Sequence, residues 1–248
     1  MTADELLASR SARKETLRPR TLDTETLIPW VGALSFPTLA GLGAEAAPFL
    51  EEALADFRLV ELWLWPGELR YCRPDLLGYV YVAAGDRHPL KDYQRQAARN
   101  QLSWLAAESF TDLLASPTAL TAAQLRDIMG AERTSALTIE HALQELARRL
   151  KIVRCGRAPS GDALWRPLVL ALPEVPKAID RISQIQAVAA LISHHLATAL
   201  CETEVGLAAF FSPLFSRTRI HEALSAFEVA GTVVLDNLEG RPAWRLRQ

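Results

Sequence analysis

Residues 216–231 read SRTRIHEALSAFEVAG, and residues 232–247 follow with TVVLDNLEGRPAWRLR. Ile220, Ala223, Leu224 and Phe227 recur at i, i+3, i+4 and i+7, which gathers them into one apolar helical stripe. Ser216 stands where a side-chain oxygen can accept from a free amide of the first turn. Gly231 stands where a helix end wants a left-handed residue. Beyond it, TVVLDN and AWRLR read as two short strands around a turn at LEGRP.

The same layout occurs earlier in the chain. SALTIEHALQELARRLKIV at 135–153 lies over SRTRIHEALSAFEVAGTVV at 216–234 with a constant offset of 81 residues. Ser135 meets Ser216, Ile139 meets Ile220, and Ile152-Val153 meets Val233-Val234; Trp165 meets Trp244 if the second loop is two residues shorter. Self-similarity at one offset marks a repeated structural unit. Upstream of each copy lies a short helix, LTAAQLRDIMG with Thr121 as cap and Gly130 as stop, or ETEVGLAAFF ended by Ser212-Pro213. Before those run longer helical stretches, QRQAARNQLSWLAAESFTDLLA and AIDRISQIQAVAALISHHLATAL.

Three helices and a hairpin, twice, predict a mainly α chain with small β-hairpins (α+β) carrying tandem winged helices, the helix-turn-helix variant with a β wing. The expected organisation is a basic N-terminal arm at 1–30, a helix/hairpin region at 31–95, a first winged helix at 96–172 and a second at 173–248. EALADF at 52–57 echoes EALSAF at 222–227, so 31–95 reads either as a third, degenerate unit or as a generic helix and hairpin. Residues 74–95 read as a loop-rich linker with one short apolar strand.

Net charge is −2 over 248 residues, so no global basic field draws the chain to nucleic acid or acidic lipid, and any such binding comes from local patches. SRSARKETLRPR at 9–20 reads as a flexible basic tail, and RRLKIVRCGR at 148–157 as a basic rim around the first wing. Three scattered cysteines without a CxxC pair fit a reducing compartment. With no apolar leader in MTADELLASRSARK and no run long enough to span a bilayer, the expected location is cytoplasmic.

In a winged helix the third helix enters the major groove and the wing touches backbone. The outward arc of the second copy carries Thr218, Arg219, His221, Glu222 and Ser225, with Arg217 on the flank. Arg binds guanine bidentately, Ser and Thr hold phosphate, and a helix N-terminus favours an anion. The expected DNA contacts are therefore Ser216, Arg217, Thr218, Arg219, His221 and Arg241, assisted by Arg154 and Arg157 from the first unit. Glu222 opposes this reading near the centre of the arc. The first copy exposes Leu137 beside Glu140 and Glu145, which suits packing on another surface.

Other chemistry is sparse. His194 and His195 are adjacent, so on a helix they point about 100° apart, and no third ligand is spaced to join them in a zinc site. No Walker A loop, GxGxxG or GxSxG is present. Cys155 lies among arginines that would lower its pKa, but no partner base is placed beside it. Neither a metal nor an organic cofactor is expected.

HALQELARRLKIVRCG, with the C-terminal SRTRIHEAL, AGTVV and AWRL, resembles the AlkZ-like family of bacterial winged-helix DNA glycosylases. The resemblance covers roughly 95–248 and, more loosely, 45–95 through EEALADF and LWLWPGELRY. It implies that fold and a role on DNA. Active members remove alkylated or crosslinked bases and use Gln-x-Gln or Gln-x-Asp, in an early segment, to position water. Here Gln94-Arg95-Gln96 and Gln184-Ile185-Gln186 match, both at starts of long helices, so the catalytic group stays open. Three functions remain in view: a double-stranded DNA binder in repair or transcriptional control, a DNA glycosylase, and a winged-helix module that binds a protein partner or a second copy as a homodimer. The crowded Trp63, Trp65 and Tyr71 stretch favours the last.

Overall fold

The computed structural model describes residues 2–132 and 134–247. Among them helices dominate, with three small antiparallel sheets. The chain opens with α1 (Ala3–Leu17), α2 (Thr24–Ala33), α3 (Leu39–Leu42), a 3-10 turn at Ala44–Ala46, and α4 (Ala47–Ala55). A hairpin follows, β1 (Val60–Leu62) with β2 (Arg70–Cys72), then α5 (Pro74–Ala84) and α6 (Pro89–Ala98). The middle of the chain holds α7 (Trp104–Ala115), α8 (Ala122–Met129), α9 (Ala136–Arg148), β3 (Ile152–Arg157) and β4 (Ala163–Pro167). Two short helices, α10 (Leu168–Ala171) and α11 (Ala178–Arg181), lead into α12 (Gln184–Ala199). The chain closes with β5 (Glu202–Thr203), α13 (Glu204–Phe211), α14 (Arg217–Val229), β6 (Val233–Leu238) and β7 (Arg241–Leu246).

The repeat read from the sequence is a repeat of backbone devices. Each hydroxyl cap accepts from an amide in the first turn of its helix: Ser103 and Ser183 on α7 and α12, Thr121 and Thr203 on α8 and α13, Ser135 and Ser216 on α9 and α14. Before the second helix of each set the chain pairs with the hairpin, Leu120 with Trp165 and Glu202 with Trp244. The two tryptophans thus hold equivalent positions. After the third helix the backbone turns left-handed at Leu150 (φ 55°) and at Gly231 (φ 69°). The next amide then reaches back five residues, Lys151 N to Leu146 O at 3.0 Å and Thr232 N to Phe227 O at 2.9 Å. A left-handed leucine costs roughly 1 kcal/mol; Leu150 is buried, and its packing offsets that cost.

The N-terminal region repeats the devices a third time. Thr38 caps α3 and pairs with Arg70 on β2, Phe57 is left-handed after α4 (φ 55°), and Arg58 N reaches Ala53 O at 2.9 Å. Phe57, Leu150 and Gly231 therefore mark one turn that glycine identifies in only one case.

Two expectations are corrected. The basic arm at 1–30 is not a free tail: α1 is docked on the C-terminal sheet, with Leu6 buried beside Cys201 and Ala243. Arg10 donates to the carbonyl oxygens of Ala199 and Cys201 and pairs with Glu202. Residues 74–95 are not a loop-rich linker but α5 and most of α6. GYVYVAA is rich in strand-forming residues, yet Leu77, Val80 and Tyr81 are fully buried in a core shared with α12, and that tertiary burial overrides local propensity. The long stretches upstream of each copy are each broken, between α6 and α7 at left-handed Asn100 and between α11 and α12 before the Ser183 cap.

Apolar clusters fill α2–α4 with β1–β2, and α7–α9 with β3–β4. The largest joins α5, α12, α13 and α14 and reaches the first hairpin through Trp65, whose indole donates to Phe210 O at 2.7 Å. The adjacent histidines tie α12 to the N-terminal region: His194 Nε2 to Leu34 O at 2.9 Å, and His195 Nδ1 to Ser35 Oγ at 2.8 Å. His195 also stacks on Phe210 with ring centroids 4.3 Å apart. Burial, followed by the positive charge of Arg10, pulls its pKa from 6.5 to about 3. The unfolded chain therefore takes up a proton that the folded chain refuses. Stability is full above pH 6.5 and declines as the pH falls towards 3. In urea unfolding between pH 7 and pH 5, His195→Asn should flatten this decline; one excess proton in the unfolded state corresponds to about 1.4 kcal/mol per pH unit. An identical pH profile for both proteins would show that His195 is not its source.

Candidate nucleic-acid interface

The first turn of α14 stands open. Ser216, Arg217, Thr218, Arg219, His221 and Glu222 are all exposed, while Ile220, Ala223 and Leu224 are buried as the periodicity requires. Glu204, at the start of α13, lies between two of the cations: it is 3.6 Å from Arg217 Nε and accepts from His221 Nδ1 at 3.0 Å. Arg219 donates to the side-chain oxygen of Gln184, a neutral partner that leaves its charge uncompensated. Arg219, Glu222 and Ala226 line a groove of about 540 Å³ with Gln184, Ile185 and Val188 of α12. Arg241 is exposed at the tip of the β6–β7 hairpin, beside the left-handed Glu239-Gly240 turn.

Arg154, expected at a phosphate, is placed differently. It is 6% exposed and sits among carboxylates. Its Nε and Nη2 donate to Glu61 Oε2 at 3.0 and 2.7 Å, and its Nη1 to Glu51 Oε2 at 2.6 Å. Arg157, about half exposed, contacts the other Glu51 oxygen at 3.2 Å and donates to Gly161 O. Lys151, from the same basic run, is buried against Asp86. The basic rim of the sequence reading is thus partly internal. A strand that buries one face buries its cations with it, and they must be paired there.

This cluster floors a cleft of about 450 Å³ between the β1–β2 hairpin and the β3–β4 region. Trp63, Tyr71 and Trp165 form its aromatic wall, with the two indoles 5.9 Å apart at a tilt of 54°. Trp63 Nε1 donates to Glu61 Oε1 at 2.8 Å, so both Glu61 oxygens are engaged and its side chain is closed off. Glu51 differs: its side chain is 32% exposed at the cleft and is oriented by two arginines. Burial, with the Glu61 charge second, pushes the Tyr71 phenol up to about 12, which keeps it protonated. Four carboxylates, Glu51, Glu61, Glu140 and Asp162, face the cleft against the two guanidiniums of Arg154 and Arg157.

The sequence reading missed Glu51 and Glu61. A signal was available: in VELWLW, Glu61 shares a strand face with Trp63 and Trp65, so burying that face buries a carboxylate that needs a cationic partner. Both Gln-x-Gln matches have structural partners. Gln186 closes the capping box with Ser183, Gln184 holds Arg219, Gln96 donates to Asp86, and Gln94 to Tyr93. The Cys155 thiol is pushed up, not down, because burial outweighs Arg166 and Arg154. Leu137 is 61% exposed at the start of α9. Among the described residues, no group of three His, Cys, Asp or Glu could hold a metal, and no helix is long and apolar enough to cross a membrane.

No protein-family model matches the chain, and no curated protein matches it in sequence. Among solved structures, the Streptomyces sahachiroi DNA glycosylase AlkZ superposes with a TM-score of 0.64 at 17% identity, over 99% of this chain and 70% of that one. The chain shares its fold with that protein, which agrees with the mainly helical architecture and small hairpins described above.

Removing one partner of the buried cluster strands a charge, whereas replacing both by apolar residues does not. Arg154→Met should therefore destabilise by about 3–5 kcal/mol. Adding Glu61→Leu should restore much of the loss, read as urea midpoints at constant slope. A single variant as stable as the parent would show that Arg154 is not a structural strut.

Proposed function

We propose that the chain binds duplex DNA and excises a cationic, alkylated base held in the cleft between the first hairpin and the β3–β4 region. The shared fold with a DNA glycosylase supports a role on DNA. The observation that carries the finer reading is the cleft itself: two indoles and a phenol beside an excess of carboxylate, with Glu51 reachable from solvent and held in place by two arginines. Flat aromatic walls suit an unstacked base, and an indole face together with acidic neighbours favours a planar cation over a neutral base.

In this reading the three repeats of helices and hairpin are winged helices, at 31–95, 96–172 and 173–248. The first turn of α14 meets the duplex through Ser216, Arg217, Thr218, Arg219 and His221. Arg241 at the wing tip and half-exposed Arg157 reach backbone phosphates, and Arg154 serves as a strut behind them. Glu51 holds a water by accepting its proton. The water oxygen bonds to C1′ of the sugar as the C1′–N bond breaks, and the bonding electron pair goes to the base. An alkylated base enters with a positive charge and so leaves neutral, with no acid required; the proton of the water passes through Glu51 to solvent. Tyr71, kept protonated, donates a hydrogen bond to the base.

Incubating a duplex carrying methylated purines with excess protein should yield abasic sites, detected by alkaline strand cleavage. Glu51→Gln should lose most of this activity while melting within a few degrees of the parent. Absence of abasic sites at protein excess would contradict the excision step, leaving DNA binding to be judged by mobility shift.

A further inference from the structure

Outside the α14 face and the cleft, a row of cations occupies the surface of α6 and the turn before it. Arg87, Lys91, Arg95 and Arg99 follow one another at intervals of four residues, and all are exposed. On a helix, residues four apart share a face and advance by about 6 Å per step; this relates Lys91, Arg95 and the C-cap Arg99, while Arg87 stands in the turn before the His88 cap. The inward side of α6 is fixed independently: Tyr93 is buried edge-on against Phe110, with centroids 5.0 Å apart, and Gln96 donates to Asp86 at 2.7 Å. Pro89 starts the helix, and the His88 amide donates to Asp92 at 2.8 Å. The row is thus displayed by a firmly seated element, which lowers the ordering cost of any contact it makes.

Charge compensation is sparse on this surface. Several arginines elsewhere are matched to acids, as in Arg18 with Glu45, Arg58 with Glu25 and Arg73 with Asp75. On α6 the nearby acids are committed elsewhere: Asp86 to buried Lys151 and Gln96, and Asp92 to the His88 amide, with Arg95 at 3.8 Å from its other oxygen. A hollow of about 450 Å³ at this place is lined by Arg87, His88, Lys91 and Arg95 with Leu90 and Val169. A row of four cations with a single acidic partner, Asp92 beside Arg95, carries self-repulsion that an anionic partner would relieve.

We infer that the α6 row is a second track for the DNA backbone, separate from α14. This rests on the reading of the chain as a duplex binder and extends it. The two helical steps from Lys91 to Arg99 span about 12 Å, the axial advance of roughly three to four phosphates of one strand at 3.4 Å each, and Arg87 extends the row from the turn before the helix. The side chains are point charges and guanidiniums without an aromatic partner between them, so the track adds affinity without reading sequence.

The test is a fluorescence-anisotropy titration of a duplex at several salt concentrations, with the parent, the Arg87→Ala/Lys91→Ala/Arg99→Ala triple variant, and Arg217→Ala/Arg219→Ala. Each lost phosphate contact should lower the slope of log affinity against log salt by about 0.9, so the triple variant should be shallower by roughly 2.7. Its affinity should fall equally on duplexes of different sequence. The two variants combined should lose the sum of both slopes. Arg87→Lys/Arg99→Lys should keep the parent slope, since charge and not fork geometry matters here. If the parent binds duplex and the triple variant binds with the same slope, the α6 track is wrong while DNA binding stands. A parent that binds no duplex at low salt overturns both. All substituted residues are exposed, and an unchanged melting temperature confirms that the fold is retained.

Discussion

The arrangement of the site depends on one buried charge cluster, Arg154 held between Glu61 and Glu51. A guanidinium out of water is tolerable only if its donors are met by carboxylates, and here three of its nitrogens are engaged within 3.0 Å. Glu61 comes from β1, Glu51 from α4 and Arg154 from β3, so satisfying the charge fixes the N-terminal hairpin against the middle of the chain. The Gly156 backbone lies so close to α4 that a Cβ there would sit 3.2 Å from Ala55. The cleft and the orientation of Glu51 at its rim follow from this contact. Lys151 with Asp86 is a second tie of the same kind, from the same strand region to the turn before α6.

Much of the C-terminal half was legible because its signals are local. A hydroxyl before an apolar stripe, a glycine after it and two short alternating runs determine helix, turn and hairpin without reference to anything distant. The offset between Ser135 and Ser216 then carries the reading from one copy to the other. The N-terminal half was less legible for a physical reason: its turn uses Phe57 where the last copy uses Gly231, and packing supplies what glycine would have announced. α5 was misread for a related reason, since GYVYVAA has strand-like residues and only its burial against α12 makes it helical.

The site divides along the same line. The exposed first turn of α14 followed from periodicity alone, because exposure is what the apolar stripe leaves over. Arg154 did not, because a run of basic residues looks alike whether its strand faces water or two carboxylates. Trp63 stands out in the sequence only within the crowded Trp63, Trp65 and Tyr71 stretch; that it meets Trp165, 102 positions further along the chain, is a tertiary fact.

In the proposed reading the chain grips a duplex by surface cations and receives one base against the aromatic wall of the cleft. The most direct measurement compares binding of two duplexes that differ in a single pair, one matched and one mismatched, in competition at fixed salt. A mismatched base costs less to unstack, so the account predicts tighter binding of the mismatched duplex, and loss of that preference in Trp63→Ala with matched-duplex affinity unchanged. Equal affinity of the parent protein for both duplexes would contradict it.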